Sequence, residues 1–181
     1  MFRESVISGR VRMITGPDGT LLRDIDTDQI FHNAHLAETN VKEMGKYAFG
    51  NLEGWKDFPQ KALSGDIVVV GGNFGAGSSR QQAVDCFHSL GIAALIGESF
   101  AAIYKRNAIN SGLALLVCPN IGSSGLKTGD HIQVNFETGE IRGMSGCAIS
   151  IKGEPFSRVQ LDIYQAGDLF AFGREREGGR V

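Results

Sequence analysis

Residues 68–92 read VVVGGNFGAGSSRQQAVDCFHSLGI. Consecutive valines enter a loop with four glycines (Gly71, Gly72, Gly75 and Gly77), the loop closes on Ser78, Ser79 and Arg80, and apolar residues then fall at Ala83, Val84, Phe87 and Leu90. The first run has the composition of a short strand buried on both faces; the last has the spacing of an amphipathic helix. Strand, glycine-rich loop and helix form the unit of an α/β fold, and such a loop presents backbone N–H groups that attract an anion.

Working outward, IAALIG (92–97) reads as a second strand. ESFAAIYKRNAINSG (98–112) reads as a helix with Phe100, Ile103, Ala108 and Ile109 on its apolar pattern and Gly112 as its stop, and LALLVC (113–118) as a third strand. The order predicts a parallel βαβαβ core with right-handed crossovers. Upstream, residues 5–14 alternate toward Val6, Val11, Met13 and Ile14, and GPDG (16–19) predicts a hairpin turn after them. LLRDIDTDQIFHNAHLAETN (21–40) is polar and aperiodic, the texture of a functional loop. NVKEMGKYAF (40–49) suits a short helix and GNLEGWKDFPQKALSGD (50–66) a loop.

Beyond Pro119 the texture changes. DHIQVNFETGEIRGM (130–144) has two alternating runs about an ETGE turn, a hairpin; CAISIKG (147–153) adds a strand; SRVQLDIYQAGDLFAFG (157–173) reads as one last amphipathic helix; GREREGGRV (173–181) reads as a frayed polar end. No repeat or low-complexity linker interrupts the chain, so residues 1–181 are expected to form one domain.

Composition narrows the function. Hydrophobic residues are 42% and charged residues 21% of the 181, and 18 Lys and Arg against 20 Asp and Glu leave a net charge of −2. That argues against nucleic acid or an anionic membrane as the main partner. No apolar stretch reaches the roughly 20 residues that span a bilayer. Cys86, Cys118 and Cys147 contain no Cys-x-x-Cys pair, so neither a disulfide framework nor a self-contained zinc or Fe–S site is indicated; they read as core thiols of a cytoplasmic protein.

The loop itself excludes two nucleotide motifs. A triphosphate loop needs Lys where Ser78 stands, and a dinucleotide fingerprint needs glycine where Arg80 stands. A smaller anion remains. Ser78 and Ser79 fall at the expected N-cap, and Arg80 adds a planar fork suited to a carboxylate; the plainer alternative is that Ser79 only caps the helix and Arg80 is solvated. Asp24, Asp26 and Asp28 have the spacing of a calcium loop, but Gln29 and His35 stand where its glycine and glutamate belong. His32 and His35 lack a third ligand, so no metal site is expected. His88, on the helix, and His131, at a strand start, carry no signal of chemistry.

DIDTDQI (24–30), GGNFGAGSSR (71–80) and SFAAIYKRNAINSGLALL (99–116), in that order, closely resemble the small subunits of the aconitase superfamily, over roughly residues 5–120. The resemblance implies a swivelling β/β/α domain with a parallel βαβαβ core and added β-hairpins. It implies a hydro-lyase subunit that acts by dehydrating and rehydrating a hydroxy dicarboxylate, with 3-isopropylmalate, in leucine biosynthesis, as the first candidate substrate. Homoaconitate, 2,3-dimethylmalate and a non-catalytic carboxylate-binding regulatory role are the alternatives. It places a [4Fe–4S] cluster on a separate large subunit, as heterodimer or heterotetramer, with no cofactor in this chain. An apolar, polar-rimmed face is then expected to be open to that partner or, in isolation, to a second copy.

Residue by residue, the resemblance makes Ser78 the base that takes the proton alpha to a carboxylate. Arg80 and Ser79 bind the substrate carboxylate, Asp28 is the acidic motif residue, and Ala34, His35 and Leu36 contact the variable part of the substrate. Two departures stand out: Gln81 and Gln82 replace a usual Glu-His pair, and Asn33-Ala34-His35-Leu36 replaces an Ala-Arg-Tyr-Leu-like stretch.

Overall fold

The computed structural model describes residues 3–178. Seven strands form one mixed sheet: β1 (Val6–Met13), β2 (Ile67–Val70), β3 (Ala94–Gly97), β4 (Ala114–Val117), β5 (His131–Asn135), β6 (Glu140–Met144) and β7 (Ser150–Lys152), in the order β4-β3-β2-β1-β5-β6-β7. The half from β4 to β1 is parallel, and β5, β6 and β7 continue it as an antiparallel meander. The helices are α1 (Thr27–Ile30), α2 (Val41–Met44), α3 (Phe58–Lys61), α4 (Gln82–Ser89), α5 (Ala102–Asn110), α6 (Arg158–Ala166) and α7 (Leu169–Gly178).

The expected βαβαβ core is β2-α4-β3-α5-β4. Each step from β1 to β4 moves the same way across the sheet, so crossovers of one hand fall on one face. That face holds Val68, Val70, Leu95 and Leu115, packed against Phe31, Met44, Phe49 and Phe58 from the first crossover, Val84 and Phe87 from α4, and Tyr104 and Ala108 from α5. Alternate residues of the same strands (Ile67, Val69, Ala94, Ile96, Ala114 and Leu116) point the other way. There they meet Ile132, Val134 and Ile141 of the meander and Leu161 and Tyr164 of α6. The meander curls back over this second core: the Glu154 N–H, just past β7, donates to the Val117 carbonyl at 2.7 Å and so covers the β4 edge.

Several elements differ from the expectation. GPDG does reverse the chain, but only Thr15 and Leu21 pair across it; β1 spends its hydrogen bonds on β2 and β5 instead. The segment 50–66 contains the single turn α3, with a proline in its first turn. Ile103 is 44% exposed, and α5 buries Tyr104 and Ala108. The last helix is two, broken at Gly167, whose φ of 111° no helix accommodates. The polar tail is helical through Gly178, and residues 179–181 lie outside the described residues. Among the described residues no helix is long and apolar enough to cross a membrane.

Candidate active site

At the C-terminal ends of β2 and β3, three loops meet. The loop after β2 makes a parallel bridge from Phe74 to Phe100 and another from Ala76 to Asp26. Its anchor is Phe74, 1% exposed, whose ring meets Tyr104 edge-on at 5.3 Å. Gly75 must be glycine: its φ is +80°, and a Cβ there would lie 2.2 Å from the Tyr104 ring. Gly77, at φ +91°, turns the chain outward. The next two residues, Ser78 and Ser79, are exposed.

The structure moves the helix start. α4 begins at Gln82, its N-cap is Gln81, and no side chain caps it. Ser78 and Ser79 therefore are not N-cap residues, contrary to the sequence reading. The reason lies in the loop: its path is fixed by pairing to residues 25–27 and by the glycines, so the chain does not turn helical until after Arg80. The consequence is chemical. The backbone N–H groups of Gly77, Ser78, Ser79 and Arg80 donate to no described residue; Gly77, Ser78 and Ser79 are exposed, and successive unpaired N–H groups are of the kind that binds anions.

Arg80 flanks this row. Its Nη1 donates to Asp28 Oδ1 at 2.6 Å and to the Phe31 carbonyl at 3.0 Å. Its side chain is 15% exposed, so it is not a solvated residue of the first helical turn. Nη2 and Nε make no hydrogen bond among the described residues, which leaves one edge of the fork for a ligand. Asp28 also accepts from Asn51 Nδ2 at 3.0 Å and from the Asn33 N–H at 3.0 Å. The hydrogen bond from Arg80, together with that from Asn33 and the nearby charges of Arg80 and His32, holds the Asp28 carboxyl below the ordinary carboxylate range, against a smaller opposing effect of burial.

The other two aspartates serve different partners. Asp24 accepts from Asn73 Nδ2 at 2.8 Å. Asp26 caps α1 in a capping box, accepting from the Gln29 N–H at 2.8 Å while Gln29 Oε1 accepts from the Asp26 N–H at 3.0 Å. The three carboxylates thus each hold a different part of the loop structure. His32 Nδ1 accepts from the Ala34 N–H at 3.3 Å, and His35 stacks on Tyr47 with centroids 4.0 Å apart. His88 is half-buried and contacts Ser111 Oγ at 3.2 Å, and His131 is exposed. The thiols do not suit a metal cluster: Cys86 and Cys118 are buried in the cores on opposite faces of the sheet, and burial pushes both thiols up, furthest at Cys86.

Residues 33–35 form a 3₁₀ turn that presents Ala34 and Leu36 to solvent, Leu36 being 39% exposed. Gln82 Nε2 donates to the Leu36 carbonyl at 3.3 Å and ties this turn to α4. Gln81 instead bonds Asp85 one turn along its own helix. The two glutamines therefore have different jobs. Sequence reasoning missed Phe74, Thr27, Asn51 and Asn107. Asn107 Nδ2 donates to Ser79 Oγ at 3.0 Å. A large aromatic between glycines was the one visible signal, since a hydrophobe in such a loop must be buried.

A sheet of this topology with a Gly-x-Gly-Ser-Ser-Arg loop at its C-terminal edge defines a class. Residues 23–120 match the aconitase C-terminal domain family, a range that includes every element of the site, and the chain belongs to that family. Closer relatives narrow the class. The chain is 38% identical over 168 residues to the isopropylmalate/citramalate isomerase small subunit of Methanocaldococcus jannaschii, covering 93% of this chain and 94% of that one. It is 37% identical to the 3-isopropylmalate dehydratase small subunit 1 of Methanopyrus kandleri, covering 87% and 90%. A crystal structure of 3-isopropylmalate dehydratase from M. jannaschii superposes with a TM-score of 0.82 at 33% identity, covering 95% of each chain.

Proposed function

We infer that this chain is the small subunit of a hydro-lyase that isomerises 3-isopropylmalate or a close alkyl analogue by removing and re-adding water. The observation that carries it is the row of unpaired N–H groups from Gly77 to Arg80 beside the open edge of the Arg80 fork, with Ser78 exposed between them. A substrate carboxylate fits the fork. A proton alpha to that carboxylate is then within the reach of Ser78. A serine hydroxyl is a poor base in water, and the same amide donors that bind an anion would hold its alkoxide. Loss of the hydroxyl falls to the large subunit, because the thiols here cannot hold a cluster.

The site is one exposed wall. A carbanion-like intermediate needs water excluded around it, and Ser78 and Ser79 face solvent. The isolated chain should therefore show no turnover, and adding a cluster-bearing large subunit should create it. The measurement is the ultraviolet absorbance of the unsaturated intermediate, with 3-isopropylmalate, citramalate and homoaconitate as substrates. Turnover by the isolated, metal-free chain would overturn the reading, as would a reconstituted complex inert toward all three.

Substrate choice is assigned to residues 33–39. The His35 ring is committed to Tyr47, so of the three residues that the resemblance assigns to the substituent, Ala34 and Leu36 are the exposed ones. Both are apolar and neither can pair with a second carboxylate arm. An alkyl substituent should therefore be preferred, and Ala34→Arg should shift preference toward a carboxylate-bearing substrate by about 1–3 kcal/mol, roughly 10–200-fold in the ratio of kcat/KM. An unchanged ratio in the Ala34→Arg complex would show that the turn does not read the substrate.

A further inference from the structure

We propose that Thr27 is a positioning residue for the reaction: its buried hydroxyl sets the Ser78–Ser79 peptide so that the Ser79 N–H faces the substrate. The inference rests on the reading of the 77–80 loop as the anion-binding and proton-abstracting element.

Thr27 is 3% exposed, and among the described residues it and Asp66 are the buried polar side chains. Asp66 is spent on Arg10 and on the Leu63 N–H, just before β2 begins, at the end of that strand away from the loop. Thr27 is aimed at the loop. Residues 25–27 run beside residues 75–78 as a short parallel ladder: the Gly75 N–H donates to the Ile25 carbonyl at 2.7 Å and the Thr27 N–H to the Ala76 carbonyl at 2.8 Å. The ladder cannot continue. On one side α1 begins, and the Gln29 N–H is taken by Asp26. On the other, Gly77 turns the chain outward at φ +91°. The Ser78 carbonyl would be left without a backbone donor. Thr27 Oγ1 supplies one at 2.9 Å, so a side chain makes the rung that the backbone cannot.

The geometry has a consequence on the exposed side. In a planar trans peptide the carbonyl and the following N–H point in opposite directions. With the Ser78 carbonyl held down toward buried Thr27, the Ser79 N–H points out of the protein, where no described residue accepts from it. An amide whose carbonyl already accepts a hydrogen bond is also a better donor. Thr27 therefore fixes the plane, direction and donor strength of the amide next to Ser78 without touching the substrate. Asn107 holds the next residue through its side chain, donating to Ser79 Oγ.

The test uses the complex with the large subunit. Thr27→Val keeps the shape and removes the hydroxyl; Thr27→Ser keeps the hydroxyl. The valine enzyme is expected to lose about tenfold to a hundredfold in kcat with KM within about threefold of wild type, and the serine enzyme to stay within about threefold in both. Thr27→Ala removes the same hydroxyl and decides the question if the valine chain does not assemble. A residue that only stabilises the fold would lower the melting temperature and leave kcat per assembled complex unchanged, and that result overturns the proposal. So does a serine enzyme as slow as the valine enzyme, because keeping the hydroxyl would then not keep the rate. Ser78→Ala is run beside them: if it is inert while Thr27→Val is fully active, only the role of Thr27 falls; if Ser78→Ala is active, the reading of the loop falls with it.

Discussion

Ser78→Ala in the reconstituted enzyme is expected to lower turnover by at least about 10²-fold while leaving substrate binding nearly intact. The Ser78 side chain makes no hydrogen bond among the described residues, and the contact from Thr27 reaches its backbone carbonyl. Removing Oγ therefore breaks no structural bond, and the loop is held by Phe74, Gly75 and the rungs to residues 25–27, none of which changes. The exposed position also means that no buried cavity is made. Such a variant should fold, assemble and bind, and fail only at proton transfer. Binding is read by competition or by spectroscopy of the assembled complex, turnover by the absorbance of the unsaturated intermediate. Near-wild-type turnover would remove Ser78 from the chemistry. It would then be a turn residue, since the helix cap it was expected to form does not exist.

That last point shows where the sequence was legible. The parallel core could be read because its strands are uniformly apolar and its helices periodic, both local properties. The meander could be read because β5 alternates and ETGE marks its turn. The partner of β1 could not: it pairs with β5, far away in sequence, and nothing local distinguishes that from a hairpin through GPDG. The split of the last helix was written in Gly167, but a glycine inside an apolar period is tolerated often enough that the period dominates the reading. The site followed the same rule. Ser78, Arg80 and Asp28 were found as motif residues, and the structure brings Arg80 and Asp28 into contact. The loop path was not local: it depends on the rungs to residues 25–27, so the start of α4 was misplaced and Thr27, hidden between two aspartates, looked like one more polar loop residue.

Arg80→Lys carries the second large effect, and it should fall on binding. Arg80 does two things at once. Nη1 is held by Asp28 and the Phe31 carbonyl, and Nε and Nη2 make no hydrogen bond among the described residues. An ammonium has no plane and no second edge: reaching Asp28 would turn it from the substrate, and reaching the substrate would leave Asp28 unpaired. Loss of a desolvated, charge-assisted pair to the substrate costs about 2–5 kcal/mol, roughly 30-fold or more in KM. Asp28→Asn tests the other half. It keeps an acceptor for Nη1 but removes the charge that holds the guanidinium, so KM should rise less than in Arg80→Lys. The pH dependence follows from the sign of the shift. Arg80 lowers the folded-state pKa of Asp28, so the contribution of the pair is complete above the ordinary carboxylate value of about 3.9 and is lost only as pH falls through the lower, folded value. Binding through Arg80 should thus stay level from neutral pH down to that range in the wild type. An Arg80→Lys enzyme with wild-type KM would separate Arg80 from the substrate and leave it as the brace of Asp28 alone.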